Sequence, residues 1–201
     1  MRLIASLAVA ASALTLAACE PTDTQDPSAA PEPAGAPSAP DADALTAEGW
    51  GPLRIGMTLD EVTAAAGPDS DPEAIGGPDP ESCDQFRPEQ APEGLLVMIE
   101  QGVLTRISIM EPSALRTDQG FGIGATATQI KAAYGDAARV EPHHYLGLPA
   151  EYITVWTGGV PSEPYVQDSQ ARGISYETNG DGVVTLIHVG GPSIQYVEGC
   201  A

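Results

Sequence analysis

Residues with the chemistry of acid–base catalysis or metal binding are few in this chain. The histidines are His143, His144 and His188, and the first two lie near the carboxylates Glu141 and Glu151. Adjacent side chains on an extended segment point to opposite sides, so His143 and His144 cannot both bind one metal ion without distortion. An enzyme would need one of them to meet a carboxylate in a pocket. The catalytic and phosphate-binding motifs Gly-x-Ser-x-Gly, His-Glu-x-x-His and Gly-Lys-Ser/Thr are absent from the sequence, so we expect no enzyme, cofactor or metal site.

The first cysteine ends a short apolar segment at the N-terminus. Arg2 precedes an apolar run that closes with Leu16-Ala17-Ala18-Cys19, the pattern of a secretory signal. The cysteine after Leu-Ala-Ala resembles a bacterial lipobox, which implies a signal peptide over residues 1–18 and lipidation of Cys19. An ordinary signal peptide or a single membrane helix is the alternative. Glu20 is not the aspartate that marks inner-membrane retention, so the resemblance implies an outer-membrane lipoprotein with its domain in the periplasm or at the cell surface.

The segment after this cysteine differs in composition from the remainder of the chain. Residues 19–47 are rich in Pro and Ala and offer little to bury, which predicts a disordered tether. Residues 48–201 are enough for one compact domain.

The remaining cysteines, Cys83 and Cys200, are left as a pair if Cys19 carries a lipid. Disulfides persist in the oxidising compartments that a secretory signal implies. A metal site is the rival interpretation, and it lacks neighbouring Cys or His residues at ligand spacing. We therefore expect a disulfide that closes most of the domain into one loop.

A short phrase occurs twice in the chain. Ile55-Gly56-Met57-Thr58-Leu59-Asp60-Glu61-Val62 returns without a gap as Ile123-Gly124-Ala125-Thr126-Ala127-Thr128-Gln129-Ile130. Thr58 with Glu61, and Thr126 with Gln129, have the spacing of a capping box at the start of a helix. Each helix should be short, because a glycine follows within about three turns. Internal duplication is the simplest explanation of the phrase.

Runs rich in β-forming residues follow each predicted helix. Residues 95–99 and 103–110 form one predicted hairpin, and residues 173–177 and 183–189 form another. An earlier strand is expected in each half, near residues 83–87 and 152–156. The expected fold is α+β, with two tandem helix-plus-three-strand repeats, about 49–111 and 120–201, forming an antiparallel sheet with the helices packed on one face.

These paired capping phrases, behind a lipobox and tether, resemble the β-lactamase-inhibitor-protein-like fold. They also resemble the small lipoprotein family of the outer-membrane β-barrel assembly machinery, whose single-copy module has a similar Gly-Met-Thr-x-x-Glu-Val phrase. Gly56 to Val62 matches that phrase fully and Gly124 to Ile130 matches it loosely. The resemblance implies this type of fold over roughly residues 49–200. The matching residues cap helices and bind no partner.

The net charge of the chain restricts the classes of partner that it can bind. The chain has 28 acidic and 8 basic residues and a formal charge of −20. This field repels nucleic acid, favours a basic protein partner in the envelope, and also keeps a secreted domain soluble. We expect the lipid to provide the membrane contact.

The aromatic residues of the second half suggest where such a partner would bind. Tyr145, Tyr152, Trp156 and Tyr165 lie between the second helix and the last hairpin, where they either complete the core or form a binding surface. The predicted function is a non-catalytic protein-binding or envelope-associated module, and the alternative is a proteinaceous inhibitor of a periplasmic or extracellular hydrolase.

Overall fold

The computed structural model describes residues 43–73 and 76–200. The predicted signal peptide, Cys19 and most of the predicted tether lie outside the described residues. The described part has two α-helices, α1 (Leu59–Ala66) and α2 (Ala127–Tyr134), and two 3₁₀ helices, Gly135–Ala137 and Pro192–Gln195. Its strands are β1 (Gly49–Trp50), β2 (Leu53–Arg54), β3 (Cys83–Phe86), β4 (Leu95–Glu100), β5 (Val103–Met110), β6 (Ala138–Pro142), β7 (Glu151–Trp156), β8 (Gly173–Thr178) and β9 (Val184–Gly190).

The main sheet has seven strands in the order β3-β4-β5-β9-β8-β7-β6, and every neighbouring pair is antiparallel. β1 and β2 form a separate two-stranded sheet. The predicted α+β class is therefore confirmed. Three strands follow α1 in this sheet, but four follow α2, because β6 precedes the three strands expected there.

Both helices begin at a threonine with an extended backbone. Thr58 Oγ1 accepts a hydrogen bond from the Glu61 amide at 3.3 Å, and a Glu61 carboxylate oxygen accepts from the Thr58 amide at 2.8 Å. This bond lowers the pKa of Glu61. Thr126 and Gln129 make the same pair of bonds, at 3.3 and 3.0 Å. Each box thus satisfies amides that an eight-residue helix leaves unpaired at its first turn.

One face of the main sheet forms the core with the helices. Val62 of α1 and Ile130 of α2 are fully buried in a single cluster with Val97, Ile107 and Val189 of the sheet. Burial of this face holds the helices, because helices of two turns are marginal alone. Neither helix in the described ranges has the length and hydropathy of a membrane span.

The core also includes residues near the start of the described chain. Leu45 is fully buried, and its backbone pairs with Arg116 and Asp118. Ordered contacts therefore begin inside the segment whose composition predicts a tether.

The opposite face of the sheet carries a polar row. Pairing places Ser108, His188, Ser175 and Thr154 side by side across β5, β9, β8 and β7. The C-terminal segment, residues 191–200, lies over part of this face, where Ile194 packs with Trp156 and Val166 in a second small cluster.

Candidate functional site

Cys83 and Cys200 form a disulfide with a Cα–Cα distance of 5.5 Å and a sequence separation of 117 residues. The predicted pairing is therefore present in the structure. It joins β3, at one edge of the main sheet, to the end of the C-terminal segment. The bond fixes that segment against the polar face.

The predicted aromatic surface is divided by the structure. Trp156 is 5% exposed and belongs to the small cluster, so it is part of a core. Tyr152 is half-buried, whereas Tyr145 and Tyr165 are 60% and 45% exposed. Of the four, three remain accessible enough to contact a partner.

Tyr145 lies on the loop between β6 and β7, residues 143–150, which we call the tip loop. Leu146 and Leu148 on the same loop are 61% and 68% exposed. Among the described residues, these three are the most exposed of the large hydrophobic side chains.

A buried histidine holds the tip loop in shape. His143 is 7% exposed, and its Nδ1 accepts hydrogen bonds from the amides of Tyr145 and Leu146 at 3.2 and 3.3 Å. Nδ1 is therefore unprotonated, and Nε2 carries the hydrogen that it donates to Glu177 at 3.0 Å. The ring also stacks on Tyr152, with 4.8 Å between centroids. Both ring nitrogens thus position the loop.

Backbone bonds close the loop at its base. The His143 amide donates to the Ala150 carbonyl at 2.9 Å, and the Gly147 amide donates back to the His143 carbonyl at 2.8 Å. Gly147 has a φ of +63°, which a residue without a Cβ adopts easily. The apolar side chains therefore project from an ordered backbone.

The polar row forms two buried hydrogen bonds. Ser108 Oγ and His188 Nδ1 are 2.7 Å apart, and the hydroxyls of Thr154 and Ser175 are 3.0 Å apart. Burial, together with the nearby Arg106 guanidinium, lowers the pKa of His188 well below its usual value. His188 is therefore neutral at physiological pH.

The Ser108–His188 pair does not form an accessible nucleophile. Ser108 is 2% exposed and does not line the cleft that opens next to His188. No described carboxylate bonds to His188, so the arrangement lacks the third group that orients a catalytic base.

The cleft lies between the polar face, the loop at residues 164–165 and the C-terminal segment, with a volume of about 350 Å³. The structure brings His144, Glu141, Tyr152 and Tyr165 to its walls, together with His188. Glu151 lies elsewhere and pairs with Lys131 at 2.6 Å. In the described ranges, no hydrogen bond joins His144 to Glu141, and no group of three His, Cys, Asp or Glu side chains is arranged to hold a metal ion.

Arg106 attaches the C-terminal segment to the sheet. It is 3% exposed, and its guanidinium donates to the carbonyls of Ser193 and Tyr196 at 3.1 and 3.2 Å and to Gln85 Oε1 at 2.8 Å. Burial lowers the pKa of Arg106 to about 10, so the side chain is still charged at neutral pH.

The cleft is the feature that reasoning from the sequence missed. A signal for it is present, because Ile174, Tyr176 and Ile187 alternate with Ser175 and His188 along their strands. That period of two predicts a polar second face.

No protein-family model matches the chain, and neither the curated proteins nor the solved structures include a significant match.

Proposed function

We propose that this protein is a lipid-anchored, non-catalytic binding module of the bacterial envelope, and that its tip loop contacts the protein partner. The observation that carries the proposal is the tip loop itself, where Tyr145, Leu146 and Leu148 are 60–68% exposed on a backbone fixed by His143. Exposed apolar side chains on an ordered loop match the anchors of protein interfaces.

Pre-organisation favours binding because less conformational freedom is lost when the partner arrives. Burying a leucine contributes about 1.5–3 kcal/mol when it starts fully exposed. Leu146 and Leu148 are each roughly two-thirds exposed. A partner pocket that covers both side chains therefore gains a large part of this burial free energy from each leucine.

The location of the module is proposed from the N-terminal sequence. Leu16-Ala17-Ala18-Cys19 supports lipidation of Cys19, and the residue after it supports the outer membrane. The tether would then place the domain in the periplasm or at the cell surface. A formal charge of −20 favours a partner with a basic surface and disfavours nucleic acid.

The alternative is inhibition of a periplasmic or extracellular hydrolase. The hydrogen bonds that His143 accepts from the Tyr145 and Leu146 amides favour it, because a loop held in one conformation is what a tight inhibitor inserts into an enzyme cleft. In that case the hydrolase is the protein partner.

We also propose that the scaffold arose by tandem duplication. Two corresponding sets of backbone bonds support this. The Gly56 and Gly124 amides donate to the Leu104 and Val184 carbonyls at 2.8 and 2.9 Å, and the Leu59 and Ala127 amides donate to the Gly102 and Gly182 carbonyls at 3.0 and 2.8 Å. Each capping phrase is therefore bound to its own hairpin in the same way.

Site-specific photo-crosslinking in cells tests the binding surface. A photoreactive residue at Leu148 should yield an adduct with one envelope protein, whereas the same residue at Leu59, which is 44% exposed on α1, should not. Identical adducts from both positions, or none from Leu148, would contradict the proposal. With the partner purified, Leu148→Ser should weaken binding about tenfold, and if the partner is a hydrolase the same change should restore its activity.

The anchor has a separate test. Cys19→Ser should abolish labelling by radioactive palmitate and release the protein from the membrane fraction. Retention of the label would show that Cys19 is not the lipidated residue.

A further inference from the structure

The cleft on the polar face has an unusual set of charges. Its charged side chains are the carboxylates of Glu141 and Glu177, and no lysine or arginine is among its lining residues. The Arg139 guanidinium approaches Glu141 only at 3.3 Å, at a carboxylate that is 53% exposed. Glu177 bonds to His143, which is neutral in the tautomer described above. Both carboxylates therefore contribute negative charge to the cleft.

The histidine at the floor of the cleft has an unused nitrogen. His188 is 7% exposed and lines the cleft, and its Nδ1 is bonded to Ser108. Within the described ranges, Nε2 has no hydrogen-bond partner. Nε2 can accept a hydrogen bond from a ligand or a water molecule when Nδ1 carries the ring proton and donates it to Ser108.

Tyrosines complete the walls. Tyr152, Tyr165 and Tyr196 line the cleft. Burial raises the pKa of each of them, and burial together with Glu100 raises that of Tyr196 to about 12. These rings are therefore neutral phenols, and the faces of such rings attract cations.

Besides Arg139, the buried Arg106 is a nearby positive charge that opposes a cation. Its guanidinium is turned to the carbonyls of Ser193 and Tyr196 and does not line the cleft. Glu100 and Glu177 both lie close enough to offset its charge. The field inside the cleft is thus set by carboxylates.

We propose that this cleft binds an organic cation, an alkylammonium or guanidinium group, between the carboxylates of Glu141 and Glu177, with His188 Nε2 as a polar contact and the tyrosines as walls. Such a group is carried by the Lys and Arg side chains of proteins and by free small amines. The inference stands apart from the tip loop proposal, because it uses different side chains and predicts binding of small probes without any protein partner.

The test uses the mature chain, labelled with ¹⁵N, and two probes that share a butyl chain, n-butylguanidinium and the uncharged n-butanol. Butylguanidinium should shift the amide resonances of Thr154, Ser175, Glu177 and His188 in a saturable manner, with a roughly millimolar dissociation constant. Butanol should not. Absence of saturable shifts with butylguanidinium, or equal shifts with butanol, would overturn the proposal.

Glu177→Gln is the decisive variant, because glutamine keeps an acceptor for His143 and removes only the charge. It should weaken binding of butylguanidinium about tenfold. Glu81→Gln is the matched control, since Glu81 is exposed just before β3 at the opposite edge of the sheet. It removes the same charge from the chain and should leave binding unchanged. Equal weakening by both variants would mean that only the overall charge matters and would refute the site.

The source of the cation is distinguished by comparing butylguanidinium with a third probe, Nα-acetyl-arginine methylamide. If the cleft takes a side chain from a protein, Nα-acetyl-arginine methylamide should bind at least as tightly as butylguanidinium. A site for a protein side chain must have room for the peptide groups beside that side chain, which this probe carries. If the cleft takes free amines, the amide-flanked probe should bind more weakly. Both results retain the cation site, whereas failure of both probes removes it and leaves the crosslinking test of the tip loop untouched.

Discussion

Acidification should destabilise this protein through His188. The imidazole is buried at the centre of the polar row, and burial and the Arg106 charge lower its pKa well below the usual value. The unfolded chain exposes the same imidazole to water, where it binds a proton at its ordinary pKa. Below that pKa the unfolded state therefore binds more protons than the folded state, so stability falls as the pH falls.

The size of the effect follows from linkage. With an unfolded pKa of about 6.5 and no protonation of His188 in the folded state, lowering the pH from 8 to 5 stabilises the unfolded state by about 2 kcal/mol. Most carboxylates remain ionised in both states over much of this window, so the histidine contribution is separable by mutation.

Urea unfolding at pH 8 and pH 5 measures the loss. His188→Gln should reduce the loss between these pH values by about 2 kcal/mol, whereas His144→Gln, at an exposed histidine, should not change it. The His188 ring proton signals should also stay constant over this range in NMR spectra of the folded protein. A wild-type loss that persists in His188→Gln, or a His188 signal that titrates near pH 6.5, would refute the reasoning.

Three further predictions concern stability and are also measured by urea unfolding. Replacing Cys83 and Cys200 by serine should lower the free energy of unfolding by about 4–5 kcal/mol, because the disulfide closes a loop of 117 residues; an unchanged midpoint would contradict this. Thr58→Ala and Thr126→Ala should each lose about 1 kcal/mol by removing a helix cap, and equal losses are expected because the two boxes have the same bonds; no loss at either position would count against the caps. Leu45→Ala should lose about 2–5 kcal/mol, since its side chain is fully buried, and a loss near zero would show that the folded part begins later.

Local patterns in the sequence predicted most of the sheet. The predicted runs at residues 95–99 and 103–110 correspond to β4, which extends one residue further, to Glu100, and to β5, which has the predicted bounds. Their β-branched residues and the Gln101-Gly102 turn agree with the antiparallel pairing that forms. Both helices also begin where their threonines predict. These features depend on interactions between residues close in the chain.

Features that depend on distant partners were not predictable in this way. β6 reads Ala-Arg-Val-Glu-Pro, which lacks a run of β-forming residues, and it forms at the sheet edge by pairing with β7. Leu45 lies in a segment whose average composition predicts a tether. A single leucine is nevertheless enough to attach the segment to the core where the core has room for it, and an average over the segment does not reveal this. Tyr145 and Trp156 are both aromatic residues between α2 and the last hairpin, so the sequence does not distinguish them. Only the packing of Ile194 and Val166 against Trp156 shows that Trp156 is the buried residue.

The C-terminal segment lies on a polar face of the sheet, so interactions other than apolar burial must hold it there. Apolar burial secures the helices on the other face, but beneath this segment Ser108, His188 and Ser175 offer little hydrophobic area. Ile194 alone cannot compensate for the entropy lost by ordering ten residues. Arg106 adds charge-assisted bonds to two carbonyls, and the Cys83–Cys200 bond limits how far the segment can move when it detaches. The guanidinium and the disulfide therefore replace the missing apolar contacts, and together they allow a polar cleft to persist under a structured cover.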